Sequence, residues 1–284
     1  MRTARHALSF DVEEYFQVAN FFRNFPREAW DEVEPRIDVG MERILDALAR
    51  HDTRATFFFL GWIAERHPQW VRRCVEAGHE VGSHGYDHKF LWDLGREAFH
   101  EDLARTERAL VEAGAPRPEG FRACTFTVTR RTWWAFDVLA ARGYRYDSSV
   151  HPVRHPVYGV PDFEPGISRV ATSDGTGALT EFPVTTYPLF GRNVPAGGGG
   201  YFRLYPLAFT RAVLRKMERL GRPGALYMHP WEFDPEQPRV QASFTQRFRH
   251  YLNLDRTLPR LEALLSEFEF GTFAEVLRGH EPVG

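Results

Sequence analysis

The stretch "GSHGYDH", residues 82–88, sets His84 and His88 four positions apart around Gly85 and Asp87. On a helix this spacing would put both imidazoles on one face. Glycine and aspartate favour a loop instead, where two imidazoles can grip one cation. A catalytic metal site takes three protein ligands and keeps a position open for water. The run "SFDVEE" (9–14) offers Asp11, Glu13 and Glu14 for the third. Side chains alternate along a strand, so Asp11 and Glu13 would share a face. One could then ligate while the other takes a proton. "GFRACTF" adds Arg122, "YDSS" adds Asp147 and "LYMHPWEF" adds His229. Singly, each has a plainer explanation, as a surface ion pair, a turn cap or a strand-end histidine bonded to backbone. Together they share one feature, which is that each follows an apolar, strand-like run.

Those runs alternate with helical patterns. "HALSFDVEE" (6–14), "RATFFFLG" (54–61), "HEVGSH" (79–84), "EGFRAC" (119–124), "YRYDSS" (144–149) and "GALYMHP" (224–230) read as strands. Between them, residues 38–52, a segment starting at Pro68, residues 96–113, 130–143 and 206–221 carry apolar residues at helical spacing. Helix follows strand throughout, which predicts βαβ units and a parallel sheet. A last helix or helix pair is expected over residues 244–268, followed by a short strand and turn in "FEFGTFAEVL". Residues 150–205 break the pattern with loop signals around one short strand, 178–186.

Within that insert, "PAGGGGYFRLYP" (195–206) joins four glycines to aromatics. Sequence alone gives the glycines no packing role, and glycine lets a chain pass close to a ligand. The expectation is that this segment lines a groove with Tyr201 or Phe202 beside the substrate. A surface connector is the competing reading.

Composition excludes several classes. The chain has 284 residues with 36 basic and 38 acidic side chains, a balance unlike a nucleic-acid or anionic-membrane binder. No apolar run is long enough for a transmembrane helix, and the N-terminus lacks a signal-peptide pattern, so the expected compartment is the cytoplasm. Two cysteines, Cys74 and Cys124, cannot make a disulfide framework. With no repeat or low-complexity linker, one domain over residues 1–284 is expected.

The motifs in sequence resemble those of the NodB-homology polysaccharide deacetylases, carbohydrate esterase family four. "SFDVEE" resembles the acidic motif, "HGYDH" the metal-binding histidine motif, "RACTF" the arginine motif, "YDSS" the aspartate motif and "YMHP" the final histidine motif. They span about residues 8–231. "DVEEYFQV", "YDSSV" and "HPWEFDPEQPR" resemble the subgroup from bacterial exopolysaccharide loci, including a C-terminal extension from about residue 200.

The resemblance implies an α/β fold, a distorted (β/α) barrel with a Gly/Pro-rich insert. It implies removal of acetyl groups from N-acetylated sugars of a polysaccharide or its precursor. It also implies a divalent metal, with zinc first, held by Glu13, His84 and His88. Asp11 would be the general base and His229 the acid. Asp147 would orient His229, and Arg122 would pair with Asp11. Tyr227 stands where the family has a leucine of the acetyl-methyl pocket, and Trp231 is placed with it among the substrate contacts. The family's usual pair of adjacent aspartates is absent, which leaves Glu13 and Glu14 as rival ligands. Gly85 and Cys124 also depart from the common Ser/Thr and Pro. Two other readings stay open: hydrolysis of a non-sugar amide such as a cyclic ureide, and sugar binding without turnover.

Overall fold

The computed structural model describes residues 6–280. Its centre is β1, His6–Val12, with all seven residues buried. A strand covered on both faces belongs inside a parallel sheet, and β1 pairs in parallel with β2 (Thr56–Phe59) and β10 (Ala225–Met228). The sheet continues through β3 (Glu80–Ser83), β4 (Gly120–Phe121), β5 (Tyr146–Asp147) and β7 (Ala178–Glu181), all parallel, to an antiparallel edge strand β6 (Ser168–Ala171). The short β11 (Phe270–Gly271) pairs with the start of β1. The strand path runs from β10 to β6 without closing, so the distorted barrel is a curled, open one.

The helices pack outside. Ile37–Arg50 turns Met41, Ile44 and Leu48 inward. Its Gly40 lies where a Cβ would sit 2.1 Å from the carbonyl oxygen of Pro230. That contact presses the helix against the turn after β10. Phe10 stacks on Phe57 at 5.1 Å between ring centroids, tying β1 to β2. Burial of each such ring contributes roughly 1.5–3 kcal/mol.

The insert contains more order than its loop signals suggest. A two-stranded antiparallel hairpin, β8 (Thr186–Leu189) and β9 (Arg192–Pro195), precedes a helix at Gly199–Leu204. The glycines have a packing role after all. Gly198 bridges to Tyr227 of β10, and a Cβ there would come within 1.8 Å of the Tyr227 carbonyl oxygen. Gly199 meets the Tyr227 ring in the same way. The glycine run lets the chain lie directly on β10. The C-terminal helical region divides into Phe244–Tyr251 and Thr257–Glu267, and Leu207–Arg219 falls on the expected helix.

Candidate active site

The C-terminal ends of the parallel strands converge on one cavity of about 190 Å³. Barrel enzymes keep their chemistry at this edge. Asp11 and Glu13 enter from β1, His84 and His88 from the loop after β3, and Tyr227, His229 and Trp231 from the end of β10. Val18, Ala19, Asn20, Thr125, Phe126 and Tyr158 complete the lining.

Geometry separates Glu13 from Glu14. Glu13 Oε2 lies 2.7 Å from His88 Nε2. Glu14 points away, and its Oε1 accepts from the backbone N–H groups of Arg36 and Ile37, each at 2.8 Å. It caps the Ile37–Arg50 helix by satisfying donors that a helix start leaves orphaned. Burial raises its pKa to about 7, against the helpful backbone bonds.

The two loop histidines are held from behind. His84 Nδ1 lies 2.8 Å from the Arg122 carbonyl oxygen, which turns Nε2 away from that bond and makes it available to a ligand. Burial pushes the His84 pKa down to about 4, so the ring is neutral. The helical alternative for "GSHGYDH" is excluded: Gly85 and His88 have φ of 76° and 59°, left-handed values outside an α-helix. Cys124, where the family has proline, sends Sγ–H to the His84 carbonyl at 2.9 Å. Donor atoms of His84, His88 and Cys124 lie within 4.8 Å of one another. Cys74 and Cys124 are both free thiols.

This donor set fits a metal ion. Glu13 Oε2 is buried and faces the His88 Nε2 atom. A carboxylate oxygen and an imidazole lone pair aimed at one point are what a shared cation satisfies. Burial alone would raise the Glu13 pKa, but His88, His229 and His84 outweigh it and bring it to about 2.

Arg122 is fully buried. Its Nη1 donates to Asp11 Oδ1 and to Ser9 Oγ, both at 2.7 Å, while Nε and Nη2 donate to Ser148. Ser9, Asp11 and Glu13 share a strand face, which explains how one guanidinium reaches the first two.

Three expectations are corrected. Asp147 does not touch His229. Its carboxylate accepts from Ser149 Oγ at 2.6 Å and from Ser149 N at 3.1 Å, beside Glu181. The carboxylate on His229 is Glu232, with Oε1 2.6 Å from Nδ1. Phe202 is buried in the main core cluster rather than in the cavity wall. Tyr201 is half-buried and hydrogen-bonds the hydroxyl of Tyr158, the residue that does reach the cavity. Glu232 had a readable signal: Pro230 and Glu232 follow His229 as the first and third residues of a capped helical turn.

Residues 31–146 match the family model described as polysaccharide deacetylase, and residues 148–278 match a domain of unknown function (DUF3473). The first of these stretches thus resembles the polysaccharide deacetylase domain. Asp11 and Glu13 precede the matched part of that domain. His84, His88 and Arg122 lie inside it, whereas His229 and Glu232 come from the second segment. The chain is 35% identical over 80 residues to a peptidoglycan-N-acetylglucosamine deacetylase of Bacillus cereus, which is 28% of this chain and 29% of that protein. It thus spans under a third of that relative's length. The fold is similar to a polysaccharide deacetylase structure from Mycobacterium smegmatis, at TM-score 0.66 and 20% identity, covering 100% of this chain and 94% of the other. It is also similar to a Puue allantoinase structure at TM-score 0.62 and 17% identity, covering 99% and 93%. At those identities the likeness is one of fold.

Proposed function

We propose that this chain is a metal-dependent hydrolase that removes acetyl groups from N-acetylated sugars of a polysaccharide or its precursor. The observation that carries the reading is the convergence of Asp11, Glu13, His84, His88 and His229 on one cavity. The polysaccharide deacetylase match over residues 31–146 supports the substrate class. The exopolysaccharide-type motifs, such as "HPWEFDPEQPR", support a secreted-polymer substrate.

Glu13, His84 and His88 would hold the metal, and their mixed nitrogen and oxygen donors suit zinc. When bound, the ion supplies a Lewis acid and acidifies a water. Asp11, anchored through Oδ1 by Arg122, takes a proton from the attacking water with its other oxygen. The water oxygen bonds to the acetyl carbon and the C–N bond breaks. His229 gives its proton to the departing amine from Nε2, since Nδ1 is engaged by Glu232. Burial pulls the His229 pKa down, but Glu13 and Glu232 raise it to about 9, so the ring carries that proton at neutral pH. Tyr227, Phe126 and Trp231 wall the space beside His229 and shield the acetyl group from bulk water.

Acetate release from chitotetraose is the test. The expected result is metal-dependent release that a chelator stops and added zinc restores. Ring opening of a cyclic ureide with no acetate from any N-acetylated sugar would replace the reading. Sugar binding without turnover at full metal loading would also replace it.

A further inference from the structure

The carboxylate on His229 is itself held by a group that the reaction above does not use. Arg203 lies in the helix Gly199–Leu204 and is almost wholly buried. Its Nε donates to Glu232 Oε2 at 2.5 Å. Nη1 donates to the His250 and Leu252 carbonyls at 2.8 Å, and Nη2 donates to the Arg249 carbonyl at 3.1 Å. Those carbonyls sit at the C-terminal end of the helix Phe244–Tyr251, where partial negative charge accumulates. The planar fork therefore fixes one carboxylate oxygen and aims the other at His229. Glu232 Oε1 accepts from the His229 backbone N–H at 3.1 Å as well as lying 2.6 Å from Nδ1. Backbone and ring are tied to the same oxygen, which leaves the imidazole little freedom.

The same turn reaches the other side of the cavity. Trp231 donates Nε1–H to Glu13 Oε1 at 3.2 Å and stacks on His250 at 4.2 Å. Pro230–Phe233 thus positions both the acid and the carboxylate of the donor set.

We propose that Glu232, clamped by Arg203, is the positioning residue for His229. The segment of unknown function then supplies both the proton donor and the device that orients it. The inference rests on the deacetylase reading only for the choice of reaction. The contact itself is a property of the fold.

Removing either partner alone strands a buried charge, which can unfold the chain. The test therefore uses Glu232→Gln together with the double variant R203M/E232Q, which removes both charges. Each is assayed on chitotetraose and on 4-nitrophenyl acetate, whose leaving group departs without a proton. The expected result is a fall in kcat on chitotetraose of about 10–100-fold, the scale on which orienting partners act. KM, metal content and ester turnover should stay near wild type. Adding E232Q to His229→Ala should cost nothing further. An equal loss on both substrates, or a further loss on top of His229→Ala, overturns the proposal in favour of a general structural role. A second arm needs no activity. Nitrogen-15 NMR of the wild-type protein, assigned by loss of the signal in His229→Gln, should show a proton on Nδ1 in a strong hydrogen bond. An unprotonated Nδ1 overturns the proposal. Wild-type protein that releases no acetate defeats the deacetylase reading, and the NMR arm still decides the contact.

Discussion

Two of the histidines that face the cavity, His84 and His229, differ by what each meets at Nδ1. His84 meets a backbone carbonyl, that of Arg122, and His229 meets the carboxylate of Glu232. Burial lowers the His84 pKa, and the carbonyl favours the charged ring too weakly to offset it, so the value falls to about 4. A carboxylate stabilises the charged ring, and with Glu13 it overcomes burial to lift His229 to about 9. One ring is kept neutral, as a metal ligand must be. The other is kept protonated, as an acid must be. Burial and the charges around each imidazole set its protonation, and the group at Nδ1 is one part of that difference.

The largest expected effect tests the neutral side. His84→Ala or His88→Ala should take metal and turnover to near zero together, because three protein ligands leave no redundancy. Metal analysis of the purified variants checks this, and full occupancy in both would break the comparison. The cationic side should lose less. His229→Ala should keep its metal and lose about 10²–10⁴-fold in turnover of an amide, the range for removal of a general acid or base. An activated acetate ester should be spared. If ester and amide slow equally, His229 does something other than protonate the leaving group.

The neutral side was the more legible of the two in the sequence. His84 and His88 are close in the chain, and glycine in "GSHGYDH" marks the loop that aims them. Asp11 and Glu13 follow from strand alternation alone. The choice of Glu13 over Glu14 needed the fold, because the Glu14 partners, Arg36 and Ile37, are 22 and 23 residues away. The cationic side depended on contacts that no local pattern carries. Arg203 meets Glu232 across 29 residues and the helix ending near Leu252 across 49. Glycines 197–200 showed no packing role in the sequence because their neighbour, β10, is distant in the chain. The strands of the barrel were legible for the opposite reason. Each is a short apolar run followed by a helix whose own periodicity is local.

Chelated protein separates the two rings without turnover. The folded pKa of His229 lies at about 9, above its ordinary value of 6.5. Its stabilisation is complete below pH 6.5 and is lost as pH rises through 9. The folded value for His84 lies at about 4, below 6.5. Its folded form resists protonation, so stability declines as pH falls from 6.5 through 4. Thermal unfolding from pH 4.5 to 9 should therefore show the His84 contribution falling away on the acid side of neutrality and the His229 contribution on the alkaline side. His229→Gln should flatten the alkaline limb and His84→Gln the acidic one. A substitution that flattens the opposite limb would reverse the assignment.

The smallest effect sharpens the choice of carboxylate. Glu13→Gln should release the metal, whereas Glu14→Gln should keep it and change turnover less than about twofold, as substitutions away from reacting groups do. The amide oxygen introduced by Glu14→Gln can still accept from Arg36 and Ile37, so the helix start stays capped. Stability carries a further signature in chelated protein. Burial raises the Glu14 pKa from its ordinary 4.5 to about 7. Between those values the folded chain holds the proton longer than the unfolded chain does, so the Glu14 contribution to wild-type stability falls as pH rises and levels off above 7. Glutamine has no proton to lose. The difference in unfolding free energy between variant and wild type should therefore move in the variant's favour from pH 4.5 to 7 and then stay constant. A difference independent of pH would mean that Glu14 is charged throughout that range. Loss of metal in Glu14→Gln with retention in Glu13→Gln would instead transfer the ligand role to the capping carboxylate, and the strand-face argument for Glu13 would fall with it.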